Sequence, residues 1–377
     1  MAGKPIRVAH VMGHMMGGGV EATVMNHYRH IDRSLVQFDF VVDADSTAVP
    51  REEIESLGGR VFIVPPYKRL PQYLRACERL FREQRPDIVH SNINSLSVFP
   101  LAAAKHAGVH VRIAHSHSTA DSREHTKTLM KTVLRPFSRL EPTHLAACSE
   151  HSARWLFGDR VVDRGEVHIM KNAIDLREFA FDPKARAMKR AELGAHDGQL
   201  VIGQVGRICS QKNQSFTLDV FADVVKQRPE ALLVFVGDGE LAGSVQNKAH
   251  ELGLEKSVRF LGVRDDVHAL YQAFDVLAFP STYEGLGMAT IEAQASGLVV
   301  LSSDRVPDEA RVVKRLVRTI PLSSPRLWVN ALRSQGIVEA RVSDIGALSS
   351  AGYDIADSAE SMCRWYEELV GASKDGR

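Results

Sequence analysis

Two glutamates eight positions apart, Glu284 and Glu292, stand in the stretch Pro280-Ser-Thr-Tyr-Glu-Gly-Leu-Gly-Met-Ala-Thr-Ile-Glu292-Ala. The residues before them, Asp275-Val-Leu-Ala-Phe-Pro280, read as a buried strand entering a turn, and those after Gly287 read as a helix stopped by Gly297. One carboxylate is therefore expected on a loop at the carboxyl end of a strand, the other about two turns into the next helix. Ligands of open α/β sheets bind at that edge, where a new helix points its free N–H groups at an anion. The loop carboxylate, the backbone of Gly285, Leu286 and Gly287, and a helix beginning at Met288 suit a ligand that is part sugar and part phosphate. Alone, such a pair is more often a solvated helix face and a turn residue.

A segment about seventy residues upstream changes that balance. Val201-Ile-Gly-Gln-Val205 is a short apolar run of the buried-strand kind. Gly206-Arg207-Ile-Cys-Ser-Gln-Lys212-Asn213 follows, before a helical pattern at Ser215-Phe-Thr-Leu. The glycine permits a tight turn, and Arg207 and Lys212 bring two cations to one strand–helix corner. A guanidinium binds two phosphate oxygens at once, while an ammonium acts as a point charge.

Taken in order, Gly206-Arg207-x4-Lys212-Asn213, Gly237-Asp-Gly-Glu240, Phe260-Leu-Gly262 and Glu284-x7-Glu292 resemble the signature of the retaining glycosyltransferases of family 4. Asn172-Ala-Ile-Asp175 is similar to the segment that ends the first domain there, with Ala173 in place of the usual glycine. Gln294-Ala-Ser296 also departs mildly from the commoner pattern. Ser303-Asp-Arg-Val-Pro-Asp-Glu309 and Tyr353-Asp-Ile-Ala-Asp-Ser-Ala are similar to the capsular and exopolysaccharide branch. The resemblance spans nearly the whole chain.

It implies the GT-B fold: two Rossmann-like, doubly wound parallel-sheet domains facing across a cleft, with a C-terminal helix crossing back to the first. The domains expected are an acceptor-binding one at 1–175 and a nucleotide-sugar-binding one at 176–352, with the returning helix at 353–377. It also implies transfer of a hexose or N-acetylhexosamine from a nucleotide-sugar, UDP-linked by first expectation, to a saccharide or polyprenyl-linked saccharide. In that chemistry Arg207 and Lys212 neutralise the departing pyrophosphate, and stabilising such developing charge is usually the largest catalytic term. Glu292 accepts from the ribose hydroxyls and Glu284 from a hydroxyl of the transferred sugar, beside the Leu286 to Met288 amides. Gly237 and Arg264 are carried over to the donor site, Arg264 near the base. His117 matches a residue that contacts the donor sugar near the scissile bond.

Other strand ends add candidates. Met12-Gly-His-Met-Met-Gly17-Gly18-Gly19-Val-Glu21 joins the first strand to the first helix, and its glycines let the backbone approach a bulky group. It is not a Gly-x-Gly-x-x-Gly fingerprint, which disfavours a nicotinamide cofactor. His115-Ser-His117 follows another strand, and nothing nearby completes a metal set. Ser149, after Leu145-Ala-Ala-Cys, reads equally as a helix cap or a functional residue. Glu21, His115, Ser149 and Asn172 form the acceptor or cleft group. No metal and no cofactor beyond the donor substrate are expected. Retention with no second carboxylate as nucleophile suggests front-face attack, the leaving phosphate taking the acceptor's proton.

The elements that must hold these residues alternate in type. Six strand-like runs (6–12, 38–42, 61–64, 88–90, 111–114, 145–148) precede five more (201–205, 232–236, 258–261, 276–279, 299–301), mostly with helical patterns between them. Such alternation predicts parallel sheets with helices on both faces. At 377 residues there is room for two cores, and a boundary is expected between Asn172 and Pro183. The last helical pattern, Asp357 to Val370, puts Met362, Trp365, Tyr366 and Leu369 on one side.

The net charge of +1 argues against a nucleic-acid-binding protein. Through residue 180 there are 24 Lys and Arg against 20 Asp and Glu, so the first half is the more basic. Four scattered cysteines, no leader pattern at the first residues and no long apolar run predict a cytoplasmic protein. Arg123, Lys127, Lys131, Arg135 and Arg139 recur every four residues beside an apolar stripe. That reads as an ordinary surface helix or as peripheral contact with the inner face of an anionic membrane. Two alternatives stay open: another GT-B enzyme such as a sugar-nucleotide epimerase, and a non-catalytic sugar-nucleotide-binding protein.

Overall fold

The computed structural model describes residues 4–117, 134–337 and 340–375. The chain divides into two compact units, Met1–Ile174 with Asp354–Arg377, and Asp175–Tyr353. The first unit holds a seven-stranded sheet: β1 (Ile6–Gly13), β2 (Val36–Asp43), β3 (Arg60–Val64), β4 (Ile88–Ser91), β5 (Val111–Ser116), β6 (His144–Ala147) and β7 (Val167–Ile169). Every pairing is parallel, in the order β3-β2-β1-β4-β5-β6-β7, with Val8 level with Phe38 on one side and Ile88 on the other.

Strands buried on both faces need apolar residues at successive positions, which is why these runs lack a polar alternation. Val8, Phe38, Phe40, Ile88 and Ile113 enter one core, while Val11, Val41, Val89 and Ala114 enter the other. The helix Gly19–His30 contributes Val24, Met25 and Tyr28 to the first core. The final helix, Ile355–Asp375, adds Met362, Cys363, Tyr366 and Leu369 to it, so the closing helix packs on the first unit. Its start is fixed by Asp354, which bridges Ile174 in parallel where the chain leaves and re-enters this unit. Each fully buried Leu, Phe or Met side chain contributes roughly 1.5–3 kcal/mol of transfer free energy.

The second unit repeats the plan with β8 (Val201–Val205), β9 (Leu232–Val236), β10 (Val258–Phe260), β11 (Val276–Phe279), β12 (Val299–Ser303) and β13 (Val317–Ile320). The order is β10-β9-β8-β11-β12-β13, again all parallel. In each sheet the winding reverses once, between β1 and β4 and between β8 and β11. The sequence pattern does not show β7 and β13. Both are edge strands, and β13 carries exposed Arg318 and Thr319 between its buried ends, so neither has an apolar run.

One buried charge network ties the start of β8 to that of β11. Asp275, fully buried, accepts from Arg186 at 2.5 Å, Arg190 at 3.1 Å and the Val201 amide at 2.8 Å. Removing the carboxylate leaves two buried guanidiniums uncompensated. Asp275→Ala is expected to cost about 3–5 kcal/mol, read as a lower urea midpoint for the second unit.

Candidate functional site

In the second unit the two motif loops leave adjacent strands at the point where the winding reverses. The loop after β8 carries Arg207 and Lys212; the loop after β11 carries Glu284. They are stitched together by the Thr282 amide on the Gln211 carbonyl (2.8 Å), the Gln211 side chain on the Tyr283 carbonyl (3.0 Å) and the Asn213 side chain on the Pro280 carbonyl (3.2 Å). Gly237 turns out of β9 at φ 127°, and a side chain there would collide with the Gly206 carbonyl, so only glycine lets these turns approach so closely.

This framing sets Lys212 Nζ 2.6 Å from Glu284 Oε1, with the ammonium 4.7 Å above the centre of the Phe279 ring. Glu284 is buried, and the pair is largely screened from water. Glu292 lies in the Met288–Ala295 helix, where it accepts from the Tyr271 hydroxyl at 2.7 Å. Burial raises its pKa, with Tyr271 and the Lys212 charge pulling the other way. Gly287 caps that helix at φ 92°, and Gly285 and Leu286 are buried beside Glu284. Lys212, Glu284, Glu292 and the Leu286–Met288 turn thus belong to one corner.

The other donor candidates are held by different partners. Arg207 pairs with Glu240 at 3.1 Å, with both side chains about half exposed. Arg264 is bound by Asp266 at 2.7 Å and Glu192 at 2.8 Å, and the same carboxylates engage Lys189. Those two carboxylates hold the Arg264 guanidinium above its ordinary pKa, while Arg264 and then Lys189 hold Asp266 below its own.

In the first unit, the carboxyl edges of β1, β2 and β4 frame a pocket of about 270 Å³. Its walls include Gly18, Gly19, Glu21, Tyr67, Asn92 and Asn94. Gly18 is the helix N-cap, and Glu21 accepts from the Met16 amide at 2.8 Å and from the Gly18 amide. Glu21 therefore shapes the glycine loop. Gly17 makes the preceding turn at φ 80°.

His117 follows β5. Its amide donates to Asn94 Oδ1 at 2.8 Å, and its Nε2 donates to Asn92 Oδ1 at 3.0 Å, which leaves Nδ1 as a bare acceptor. The Asn92 amide nitrogen in turn lies 3.2 Å from His10 Nδ1. His115 stacks on His117 with ring centres 3.8 Å apart and bonds His90 at 2.9 Å, which reaches the Tyr366 hydroxyl at 2.7 Å. His115 thus faces the interior histidine array rather than the 270 Å³ pocket. Ser149 is the buried N-cap of the Glu150–Phe157 helix and accepts from the Ser152 amide at 3.1 Å, the capping one of its two readings. Asn172 is buried with Oδ1 unpartnered. Arg123, Lys127 and Lys131 of the basic stripe lie outside the described residues.

Two protein-family profiles match the chain: Glycosyltransferase Family 4 over residues 17–178 and Glycosyl transferases group 1 over residues 185–331. EpsF of Bacillus subtilis (strain 168), named as a glycosyltransferase, is 34% identical over 384 residues, covering 98% of each chain. The chain belongs to the glycosyltransferases. An Escherichia coli relative of this glycosyltransferase, UDP-Gal:alpha-D-GlcNAc-diphosphoundecaprenol alpha-1,3-galactosyltransferase, is 25% identical over 310 residues and 79% of each chain. The solved structure of Anabaena HepE in complex with UDP-glucose matches it with a TM-score of 0.72 at 19% identity, over 99% of this chain and all of the other. That likeness shows the fold, GT-B.

Several polar residues of this glycosyltransferase escape the sequence reading. Asp43 ends β2, Asn92 follows β4, and His10 and His90 lie inside strands; a polar residue closing an apolar run was the available signal for the first two. Among the described residues no group of three His, Cys, Asp or Glu side chains is placed to hold a metal ion. No described helix is long and apolar enough to cross a membrane.

Burial keeps the histidine array neutral. It takes His10 and His117 down to about 3 and His27 to about 4, and holds His90 and His115 well below their ordinary value. The unfolded chain takes these protons near pH 6.5 while the folded chain refuses them, so stability falls as pH drops from about 6.5 towards 4. At pH 5 His10, His27 and His117 each cost about 2 kcal/mol. Asp43, raised to about 6 by burial and then by Asp45, acts in the opposite sense but cannot cancel five imidazoles. Native-state hydrogen exchange in the first unit should therefore show several kcal/mol less protection at pH 5 than at pH 7; equal protection would contradict the neutral array.

Proposed function

We propose that this glycosyltransferase moves a hexose or N-acetylhexosamine from a nucleotide diphosphate-sugar, UDP-linked, to a saccharide or lipid-linked saccharide during synthesis of an exopolysaccharide or capsule. The observation that carries this reading is the Lys212–Glu284 pair at the winding reversal of the second sheet, where α/β proteins hold phosphorylated ligands. HepE, of the same fold, was solved with UDP-glucose, and the Escherichia coli relative acts by name on a diphosphoundecaprenol-linked sugar. Both support a UDP-sugar donor, and the Escherichia coli relative supports a lipid-linked acceptor. The second unit would take the nucleotide-sugar and the first the acceptor. Peripheral contact with the inner face of an anionic membrane, through residues 123–139, belongs to the same reading.

In this mechanism Lys212 and Arg207 meet the diphosphate. Their charges stabilise the leaving group as the glycosidic bond breaks, with no metal required. Glu284 accepts from a hydroxyl of the transferred sugar while it holds Lys212 in place, and Glu292, fixed by Tyr271, accepts from the ribose. His117 is neutral and its ring lines the interior histidine array, so it serves through its ordered backbone rather than as a proton donor. Attack comes from the face the leaving group departs, and a phosphate oxygen takes the acceptor's proton, which retains the anomeric configuration.

The test is nucleotide release from UDP-, GDP- and ADP-sugars with chelator present. Lys212→Ala and Glu284→Gln should each lower UDP release by about 10²–10³-fold. Tight UDP-sugar binding with no turnover on any donor or acceptor would instead mark a binding protein. Activity that survives both substitutions would remove the corner from the mechanism.

A further inference from the structure

Three buried arginines meet at the amino edge of the second sheet, where their hydrogen bonds are satisfied but their charge is not. Arg186 and Arg190 are four positions apart on the helix Pro183–Glu192, so they share a face. Arg186 donates to the carbonyls of Gln272, Ala273 and Phe274, and Arg190 to that of Ala273, at the end of the helix Val267–Ala273. Arg341, from a distant part of the chain, donates to the carbonyls of Tyr271, Gln272 and Phe274. Its segment comes this close because Gly297, at φ 67°, has no side chain. A Cβ there would lie 2.9 Å from the Val342 carbonyl and 3.1 Å from the Arg341 Cβ.

The carbonyls of a helix end attract cations, but they carry partial charge and do not neutralise three guanidiniums. The carboxylate that faces all three is Asp275. The shortfall shows at Arg341: burial brings its pKa down to about 9 and Arg186 pushes the same way, against the pull of Asp275. Among the described residues, the buried Arg341 Nε has no hydrogen-bond partner.

Arg341 and Asp275 line a cavity of about 210 Å³ together with Gly297, Val299, Arg315 and Val342. Arg315 pairs with Asp344 at 2.8 Å, with both side chains in contact with solvent, so an incoming anion recruits this guanidinium at little cost. Against the four arginines stand Asp275 and Asp344, which leaves an excess matching the charge of a phosphate dianion. Guanidiniums suit phosphate oxygens in geometry as well as in charge. The volume lies below the roughly 300–1,000 Å³ of ordinary ligand pockets, which leaves room for a phosphate with a small substituent but not for a nucleotide.

We infer that this cavity is a second anion site of the protein, taking a phosphate ion or a small phosphomonoester between Arg315 and Arg341. Asp275 stands at the start of β11, while the loop carrying Glu284 follows the end of that strand, about 15 Å further along at 3.3 Å per residue. The two sites are therefore separate, and the inference does not rest on the transferase reading. Occupancy supplies the negative charge that the arginine cluster lacks and so stabilises the second unit.

Isothermal titration calorimetry on the full chain tests it, with inorganic phosphate and methyl phosphate as probes and sodium chloride holding the ionic strength constant. Saturable binding is expected in the parent and equally in Lys212→Ala. Arg315→Gln, and Val342→Glu at the exposed rim, should each weaken it roughly tenfold or more. Arg341→Gln should abolish it; if that variant does not fold, the two rim variants decide. Phosphate should also raise the urea midpoint of the parent's second unit, and raise it less in Arg315→Gln. Tighter binding of methyl phosphate assigns the site to a phosphomonoester, and tighter binding of inorganic phosphate assigns it to the free ion. The inference is overturned by any of three results: no saturable binding in the millimolar range, binding indifferent to both rim substitutions, or binding lost in Lys212→Ala but kept in Arg315→Gln.

Discussion

A lysine and a glutamate that are both withdrawn from water must find each other, and the second unit is arranged around that requirement. Lys212 and Glu284 are 72 residues apart in the chain and 2.6 Å apart in space. Neither could be buried alone without a large desolvation cost, and the pair offsets that cost only with good geometry. The geometry comes from the sheet. Because β8 and β11 are neighbours at the winding reversal, the loops that follow them emerge side by side, and three side-chain and main-chain bonds lock one to the other. The small residues around the turn and the Phe279 ring under the ammonium are consequences of the same packing.

The first unit solves a different problem with neutral groups. Five histidines, from β1, the first helix, β4, β5 and the position just after β5, share a buried interior and cannot carry charge together. They are therefore kept as imidazoles, each giving or taking hydrogen bonds in a fixed sense. His27 donates to the Thr23 carbonyl and faces the Ser358 hydroxyl of the closing helix, and His90 meets Tyr366 of the same helix. The array therefore both anchors that helix and orients His117 through Asn92. A polar core of this kind gives a rigid edge to the pocket, but only in the protonation state that burial enforces.

Much of this was legible in the sequence for a physical reason. The corner of Lys212, Glu284 and Glu292 is assembled from two short local motifs, each a strand end, a turn and a helix start, so its chemistry is written contiguously. The strands with strong apolar runs were legible on the same grounds, whereas β7 and β13 were not, because edge strands bury one side and tolerate Arg318 and Thr319. Glu21, read as a cleft group, spends its oxygens on a helix start, and Ser149, read equally as a cap or a functional residue, makes the cap. The histidine array and the Asp43 pocket were not legible at all. They depend on sheet order, which places His10 beside His90 and brings Asp43 and Asn92 to one pocket, and no local spacing encodes which strands become neighbours.

The two cations of the second unit are committed to carboxylates of very different strength, and the difference bears on how a diphosphate could be received. Arg207 and Glu240 are both about half exposed, and an exposed pair of this kind is worth about 0–1 kcal/mol. A phosphate can take the guanidinium from Glu240 at almost no cost. The Lys212–Glu284 pair is buried, and breaking it would leave Glu284 charged and unpaired, a penalty of several kcal/mol. It does not have to break. An ammonium has three donors, and Glu284 uses one, so a phosphate oxygen can be added while the pair persists. One cation is thus cheap to recruit and the other is already in position, and the buried pair keeps the corner ordered before any ligand arrives.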